Sequence, residues 1–336
     1  MRVSGLRVAF ARRGTIPYDQ GVVPVVSVII AAYNRSGMLR HAIESVRNST
    51  FDEWELLVIG DYCTDDSEAV ALSFGDPRIR FVNLPENTGG QSAPNNAGAE
   101  LAGGEFIAFL NQDDLYLPEH LGRGVDHLRR SGADFAWTAA ASLLPASQEQ
   151  LTAGDWTCDV IGVPPRTVFE PVVFLVASTW IIRRETCRKV GPWKPADRVF
   201  TTPSQDRLLR ASKSGIRMEF IPNITVLVIF SGARKGSYNL ASFPEHEFFS
   251  KQILSSPQFR EDLFHRCAVN QCRKYNHHYW FDPVPMRLGR VVVRAVQRTA
   301  ERMGSHPHAP ASFLRFGWRG GRVRYLRRKV GLDPLD

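Results

Sequence analysis

The 336-residue chain is 43% hydrophobic and 23% charged, which fits a folded protein and excludes disordered, collagen-like and disulfide-scaffold chains. Its net charge of +8 is unevenly distributed, because residues 287–336 hold twelve Lys and Arg against three acidic residues. That segment alone carries +9, and the first 286 residues are close to neutral. The basic character is therefore a property of the C-terminal segment.

Cysteine usage indicates a reducing compartment, and hydropathy indicates neither a membrane span nor a signal peptide. The five cysteines are scattered and odd in number, which argues against a disulfide framework. No apolar run approaches the roughly 18–20 residues of a membrane span, and residues 1–24 have only short apolar stretches, unlike a signal peptide. We expect a peripheral N-terminal extension at 1–24 and a cytoplasmic protein.

From Val25 onward, short buried strands alternate with amphipathic helices, a pattern typical of an open, mostly parallel, Rossmann-like sheet with helices on both faces. The first predicted elements are strand Val25–Ala32, a helix from Ser36, strand Glu55–Ile59, helix Ser67–Phe74, strand Ile79–Leu84, helix Ala93–Leu101, strand Phe106–Leu110, a helix along Leu117–Leu128 and strand Phe135–Thr138. The pattern then weakens. The later predictions are an irregular stretch Ala139–Arg166, strand Phe174–Ile182, helices Arg184–Val190 and Asp206–Ser214, strand Met218–Phe230 interrupted by Pro222, and helices from Phe248.

Three polar clusters follow predicted strands: Asn34-Arg35, Asp61–Asp66 and Asn111–Asp114. In open parallel sheets ligands bind beyond the carboxyl ends of the strands, so we expect these clusters to converge. The first strand is not followed by G-x-G-x-x-G, and the chain has no G-x-x-x-x-G-K-[ST]. Ordinary dinucleotide-binding and P-loop functions are therefore disfavoured.

The most informative cluster is Asn111-Gln112-Asp113-Asp114. Acidic side chains at the end of a buried strand are hard oxygen ligands for Mg²⁺ or Mn²⁺, which complete their coordination with substrate phosphates and water. Adjacent aspartates can instead cap the following helix. Both interpretations stay open at this point.

Four segments in order resemble the motifs of family-2 glycosyltransferases, which have the GT-A fold. They are Val26–Arg35, Glu55–Asp61 with Thr64–Ser67, Asn87–Gly98 with Gly104–Leu110, and Asn111–Asp114 at the place of the family's metal-binding D-x-D. The resemblance implies a GT-A domain at 25–255, divided into a nucleotide-sugar half (25–125) and an acceptor half (126–255). A helical, basic C-terminal region (256–336) would follow it.

The resemblance also implies roles for individual residues in donor binding. Asp61 would accept a hydrogen bond from the nucleobase, with uracil expected; the alternative is a turn-capping carboxylate. Asp113 and Asn111 would hold Mn²⁺ or Mg²⁺ against the donor diphosphate, while Gln112 and Asp114 would contact the sugar, unless Asp114 caps a helix. The full nucleotide-binding set is Ala32, Tyr33, Asn34, Arg35, Asp61, Asn87, Gly89 and Asn95.

Thr202–Arg210 resembles the helix start at which the family places its catalytic base. Asp206 is the predicted base, and the alternative is a carboxylate that interacts with the helix dipole. Trp180, Gln205 and Arg234 are predicted on the acceptor side. For Trp180 a core position, and for Arg234 a solvated basic loop, are the competing interpretations.

The resemblance implies a metal-dependent inverting transferase of hexosyl or N-acetylhexosaminyl groups, acting in cell-surface polysaccharide biosynthesis. Its partners would be a nucleotide-diphosphate sugar, with UDP expected, and a hydroxyl of a glycan, lipid or natural product. Three departures from the family pattern, Asn111, Pro94 and Gln205, motivate an alternative. That alternative is a binding protein with the nucleotide-sugar fold but weak or no turnover.

The basic C-terminal segment predicts an amphipathic helix, because Arg287, Arg290, Arg294, Arg298 and Arg302 recur at spacings of three and four. Such a helix fits the anionic inner face of a membrane; packing of its apolar face on the catalytic domain is the alternative. Nucleic-acid binding is less favoured, because no recognised motif accompanies the charge. We expect the segment to affect location and not catalysis.

Overall fold

The computed structural model describes residues 23–165, 169–171, 173–230, 234–240, 243–276, 284–303, 305–317 and 319–333. The predicted N-terminal extension, apart from its last two residues, lies outside them. The strands are β1 (Val26–Ala32), β2 (Trp54–Gly60), β3 (Ile79–Asn83), β4 (Phe106–Asn111), β5 (Asp114–Tyr116), β6 (Phe135–Leu143), β7 (Cys158–Ile161), β8 (Trp180–Arg183) and β9 (Met218–Ile229). The helices are α1 (Ser36–Arg47), α2 (Ser67–Leu72), α3 (Ser92–Leu101), α4 (His120–Ser131), α5 (Gln148–Thr152), α6 (Arg184–Val190), α7 (Pro203–Lys213), α8 (Pro244–Ser255), α9 (Phe259–Asn276), α10 (Val284–Arg302), α11 (Ala309–Phe316) and α12 (Gly321–Val330).

One sheet runs through the described residues in the order β3-β2-β1-β4-β8-β6-β9-β5, with β7 beside β6. Its first four strands are parallel, as predicted from their buried, β-branched sequences. The continuation is mixed, because β8 runs antiparallel to both β4 and β6. Strand direction depends on how the chain returns to the sheet, and the run of buried residues in β8 does not encode it.

The second half of the sheet contains the main differences from the predicted elements. Strand β6 continues to Leu143, and the stretch predicted as irregular also holds α5 and β7. Strand β9 passes through Pro222 because its register with β6 shifts there: Thr138 pairs with Ile221, and Ala139 pairs with Ile224. A bulge accommodates a proline, which has no N–H to donate to the ladder.

Helices cover both faces of the sheet and so define its open edge. Alternate β1 residues Val26, Val28 and Ile30 pack with α1 and α4 on one face. Ile29 points to the other face, which α3, α6 and α7 cover. A third cluster joins β5, β6 and β9 to α8 and α9. Because helices cover both faces, a ligand can reach the sheet at its strand ends.

Among the C-terminal helices, α11 and α12 contact the domain, whereas α10 has exposed apolar residues. Ser312 of α11 donates to the Phe200 carbonyl, and Gly320, just before α12, donates to the Val199 carbonyl at 3.0 Å. By contrast, Val292 and Val296 of α10 are 63% and 46% exposed. Along the part of the chain that the structure describes, no helix combines the length and apolarity needed to cross a bilayer.

Two glycines of α4 offer a matched test of the packing between this helix and β8. A Cβ on Gly124 would lie 1.8 Å from Cδ1 of the buried Ile181, whereas a Cβ on Gly122 would have its nearest neighbour, Phe51, at 3.7 Å. We expect Gly124→Ala to lower the free energy of unfolding by about 1–3 kcal/mol through overpacking. Gly122→Ala should raise it by about 0.5–1 kcal/mol through helix propensity. Urea unfolding of both variants measures the difference, and equal stabilities would contradict the packing.

Candidate active site

The parallel register brings the three predicted polar clusters to one edge of the sheet. Ala32 pairs with Gly60, and Ala31 pairs with Asn111, so β1, β2 and β4 end side by side. A cavity of about 570 Å³ opens at this edge. Its walls are the end of β1, Asp61, the loop Gly89–Gln91, the β4 end Asn111–Asp113, Tyr238 and α12. The predicted convergence is present.

Asp61 organises one wall of the cavity. Its buried carboxylate accepts four hydrogen bonds from a single loop: from Thr88 N (2.9 Å), Thr88 Oγ1 (2.7 Å), Gly89 N (2.9 Å) and Gly90 N (3.2 Å). A carboxylate offers about four lone-pair sites, so the loop occupies them all. Asn87 Oδ1 also accepts from Gly89 N, at 2.7 Å. The nucleobase role of Asp61 stays a prediction, in which a base N–H replaces one of these donors.

Most of the turn after β1 lies outside the cavity wall. Asn34 and Arg35 both have positive φ, and Asn34 Oδ1 accepts from Thr64 N at 2.8 Å. The Arg35 guanidinium lies 3.8 Å from the centre of the Tyr238 ring. Tyr33 and Tyr238 reach the cavity wall, whereas Asn34 and Arg35 lie behind it. Their expected nucleotide contacts would need a rearrangement.

The end of β4 presents Asn111, Gln112 and Asp113 to the cavity but not Asp114. Asp114 is 1% exposed and accepts hydrogen bonds from Asn111 Nδ2 (2.8 Å) and Ser178 Oγ (2.5 Å). Burial, reinforced by the charge of Asp113, raises the pKa of Asp114 well above its ordinary value. The expected sugar contact of Asp114 does not fit this position, because its side chain is enclosed where β5 pairs with β9.

The β4 end carries a small donor set for a divalent ion. Asp113 supplies a carboxylate, and because Asn111 Nδ2 donates to Asp114, the Asn111 amide oxygen remains as a ligand atom. Within the described ranges, no cluster of three His, Cys, Asp or Glu side chains could hold a metal by itself. Mg²⁺ commonly uses one or two carboxylates together with substrate phosphates and waters. The pair therefore fits an ion that is shared with a bound diphosphate.

The predicted base Asp206 lies in the first turn of α7. It accepts hydrogen bonds from Arg210 Nε at 2.7 Å and Lys194 Nζ at 3.3 Å. It is not among the described residues that form the cavity wall. Asp206 therefore sits in an ion-pair cluster, and its role as base stays a prediction. Asn95 and Asn87 of the predicted nucleotide set also lie off the wall.

The three predicted acceptor-side residues are packing groups. Trp180 is fully buried and stacks on Trp193 with ring centres 5.5 Å apart, as its core interpretation predicts. Gln205 is buried and donates to the Leu175 carbonyl at 3.1 Å. Arg234 pairs with buried Glu245 at 2.5 Å. The acceptor contacts stay a prediction, because Gln205 and Arg234 have internal partners here and Trp180 lies in the core.

The largest omission of the sequence interpretation is α12. Val323, Leu326 and Arg327 of this helix line the cavity, together with Lys329 and Val330. Arg327 Nη1 donates to the Gly89 carbonyl at 2.7 Å. The expectation for the basic segment concerned location alone and did not include a helix at this cavity. Helical periodicity reveals an amphipathic face, but it carries no signal of the surface on which that face packs.

These features define an α/β protein with a ligand cavity at the carboxyl ends of its parallel strands. Residues 27–191 match the model of Glycosyl transferase family 2, and this segment is a domain of that family. The recognition made from the four sequence motifs is thereby confirmed.

Relatives and solved structures agree with this assignment. The chain is 36% identical over 97 residues to the putative glycosyltransferase EpsH of Bacillus subtilis, covering 29% of this chain and 28% of EpsH. It is 31% identical over 113 residues to the Escherichia coli β-1,3-glucosyltransferase WfgD, whose name gives UDP-Glc as donor and an α-D-GlcNAc-diphosphoundecaprenol acceptor. That match covers 34% of this chain and 44% of WfgD, so the chain spans less than half of either relative. Residues 1–349 of S. aureus TarS in complex with UDP-GlcNAc share the GT-A fold, with a TM-score of 0.51 and 17% identity over 91% of this chain and 88% of that one.

The hydrogen bonds of Asp61 predict that Asp61→Asn loosens the cavity wall. An asparagine has one acceptor oxygen and turns an NH₂ group toward N–H donors, so at least one loop amide loses its partner, at a cost of about 1–3 kcal/mol. We expect hydrogen exchange at Thr88–Gly90 to accelerate about tenfold or more. Exposed Asp66→Asn is the matched control, and unchanged protection in Asp61→Asn would contradict this role.

Proposed function

We propose that this protein transfers a sugar from a nucleotide-diphosphate donor, expected to be a UDP-sugar, to an acceptor hydroxyl with inversion. The observation that carries the proposal is the cavity at the strand ends of the family-2 domain, with Asp113 and Asn111 on its wall. The names of WfgD and of the TarS complex both mention UDP-linked sugars, which supports the choice of nucleotide.

Asp113 and Asn111 are the residues that would hold Mn²⁺ or Mg²⁺. When bound, the ion offsets the negative charge that develops on the departing nucleoside diphosphate. The loop fixed by Asp61 would enclose the nucleotide, and Gln112, which accepts from Tyr33 N at 2.9 Å, ties the β1 and β4 ends together beneath it. Binding at this edge would orient the donor for attack.

Asp206 is the proposed base for the acceptor hydroxyl. Its ion pairs with Lys194 and Arg210 hold the carboxylate in place at the start of α7. His306 lies close enough to Asp206 for their charges to interact, so the chain before α11 borders this side of the domain. The acceptor would therefore enter between α7 and the C-terminal helices.

We propose a role in the biosynthesis of a cell-surface polysaccharide on the inner face of the membrane. Rhizobium meliloti ExoO, named for succinoglycan biosynthesis, is 35% identical over 114 residues, covering 34% of this chain and 32% of ExoO. In α10, Val292 and Val296 are exposed, and Arg294 and Arg298 lie on the opposite side of the helix. An amphipathic basic helix of this kind binds anionic lipid surfaces.

The proposed reaction predicts two separable losses. Donor turnover should require Mn²⁺ or Mg²⁺ and fall about 100-fold or more in Asp113→Ala, with activity no longer rescued by excess metal. Asp206→Asn should retain donor binding but lose about 100-fold to 10,000-fold in kcat, because the proton acceptor is absent. Nucleotide release with a panel of donors and acceptors measures both.

The exposed Asp126→Asn on α4 serves as the control for charge loss, and thermal unfolding checks the fold of each variant. Wild-type activity in both Asp113→Ala and Asp206→Asn would contradict the site. Nucleotide binding without product from any donor and acceptor pair would favour the alternative of a binding protein with this fold.

The exposed face of α10 predicts that Val292→Ser combined with Val296→Ser weakens binding to vesicles of phosphatidylglycerol and phosphatidylcholine. Each buried CH₂ contributes about 0.8 kcal/mol, so we expect a loss of about tenfold or more in partitioning. Leu254→Ser on α8, where Leu254 is 56% exposed, is the control. Equal partitioning of all three proteins in a flotation assay would refute membrane binding through α10.

A further inference from the structure

Helix α12 forms a wall of the donor cavity although it lies more than 120 residues beyond the family-2 match. Its apolar residues Val323 and Leu326 face the cavity together with the cationic Arg327 and Lys329. The backbone fixes the helix in place, because Gly236 N donates to the Lys329 carbonyl at 2.8 Å and Gly320 N donates to the Val199 carbonyl at 3.0 Å.

Arg327 is held at the cavity by two hydrogen bonds that leave most of its donors unused by the described residues. Nη1 donates to the Gly89 carbonyl at 2.7 Å, and Nε donates to the Asp333 carbonyl at 2.8 Å. A guanidinium has five N–H donors in a rigid fork, which suits planar recognition of phosphate oxygens. The orientation of the fork is thus set before a ligand arrives.

The cavity wall carries cationic hydrogen-bond donors that suit an anionic ligand. Asp61 and Asp113 are the acidic residues of the wall, and Asp61 accepts four hydrogen bonds from one loop. Pro94 on the same wall brings no charge, while Arg327 and Lys329 bring two positive charges. Acidic and basic residues therefore balance on the wall, and the three N–H donors of Arg327 that the described residues leave unused suit the oxygens of a diphosphate.

We propose that α12 is part of the donor site and that Arg327, with Lys329, binds the diphosphate of the nucleotide sugar. This inference rests on the proposed function and adds residues from outside the family-2 match. Arg327 also contacts the loop that is hydrogen-bonded to Asp61. Asp61 accepts from the N–H groups of Gly89 and Gly90, and Arg327 donates to the Gly89 carbonyl. The proposed diphosphate site and the position of this loop are therefore linked through one side chain.

The test compares the binding of UDP and uridine to the full-length protein by calorimetry, in the presence of Mg²⁺. Arg327→Ala should weaken UDP binding about tenfold or more, because a charge-assisted contact to the diphosphate is lost. Uridine binding should stay unchanged, because uridine has no diphosphate. Lys329→Ala should lower UDP affinity in the same selective way, and Arg327→Lys should recover part of it.

Arg328→Ala is the matched control, since Arg328 is adjacent on the same helix but exposed and off the cavity wall. It should bind UDP as the wild type does. If Arg327→Ala binds UDP like the wild type, or loses UDP and uridine affinity equally, the assignment of the diphosphate to α12 is overturned while the proposed function stands. If the wild-type protein binds neither UDP nor GDP, the proposed function itself fails.

Discussion

The in-register parallel pairing of β1 with both β2 and β4 is the constraint on which the cavity depends. Ala32 meets Gly60 and Ala31 meets Asn111, so three strands end at the same level. Each strand end is followed by polar residues, and parallel strands turn these ends to the same edge. A register slip of one residue in any of these strands would turn buried side chains to the opposite face. Core packing therefore fixes the position of the site.

The charged residues of this site come from two distant parts of the chain. The family-2 domain supplies carboxylates, and one of them, Asp61, is used to hold the loop that encloses the cavity. The positive charges come from the last helix, where Arg327 reaches the Gly89 carbonyl. The sequence is near-neutral before residue 287 and basic from there on. For α12, this means that acidic residues of the domain and basic residues of the last helix line one cavity. For α10, whose valines are exposed, the basic charge remains a surface property.

A strand, helix or residue role was predictable where its sequence signal is local. β1, β2 and β4 were predictable because buried parallel strands are continuous apolar runs bounded by turn residues. The convergence of Asp61 and Asp113 followed from topology alone. Trp180 was ambiguous, because a tryptophan can stack on a sugar or fill a core, and its neighbour Trp193 lies in another element. Asp114 was equally ambiguous, since its burial depends on Ser178 and on the pairing of β5 with β9.

The sequence by itself determined the family of residues 27–191, the parallel half of the sheet and the edge at which ligands bind, because motifs and hydrophobic patterns are local. Only the tertiary structure decided which side chains face the cavity. It turned Asp114, Gln205 and Arg234 toward internal partners and brought Arg327 against a loop 238 residues away. The physical reason is that satisfaction of buried polar groups and the docking of an amphipathic helix depend on the surface met in space.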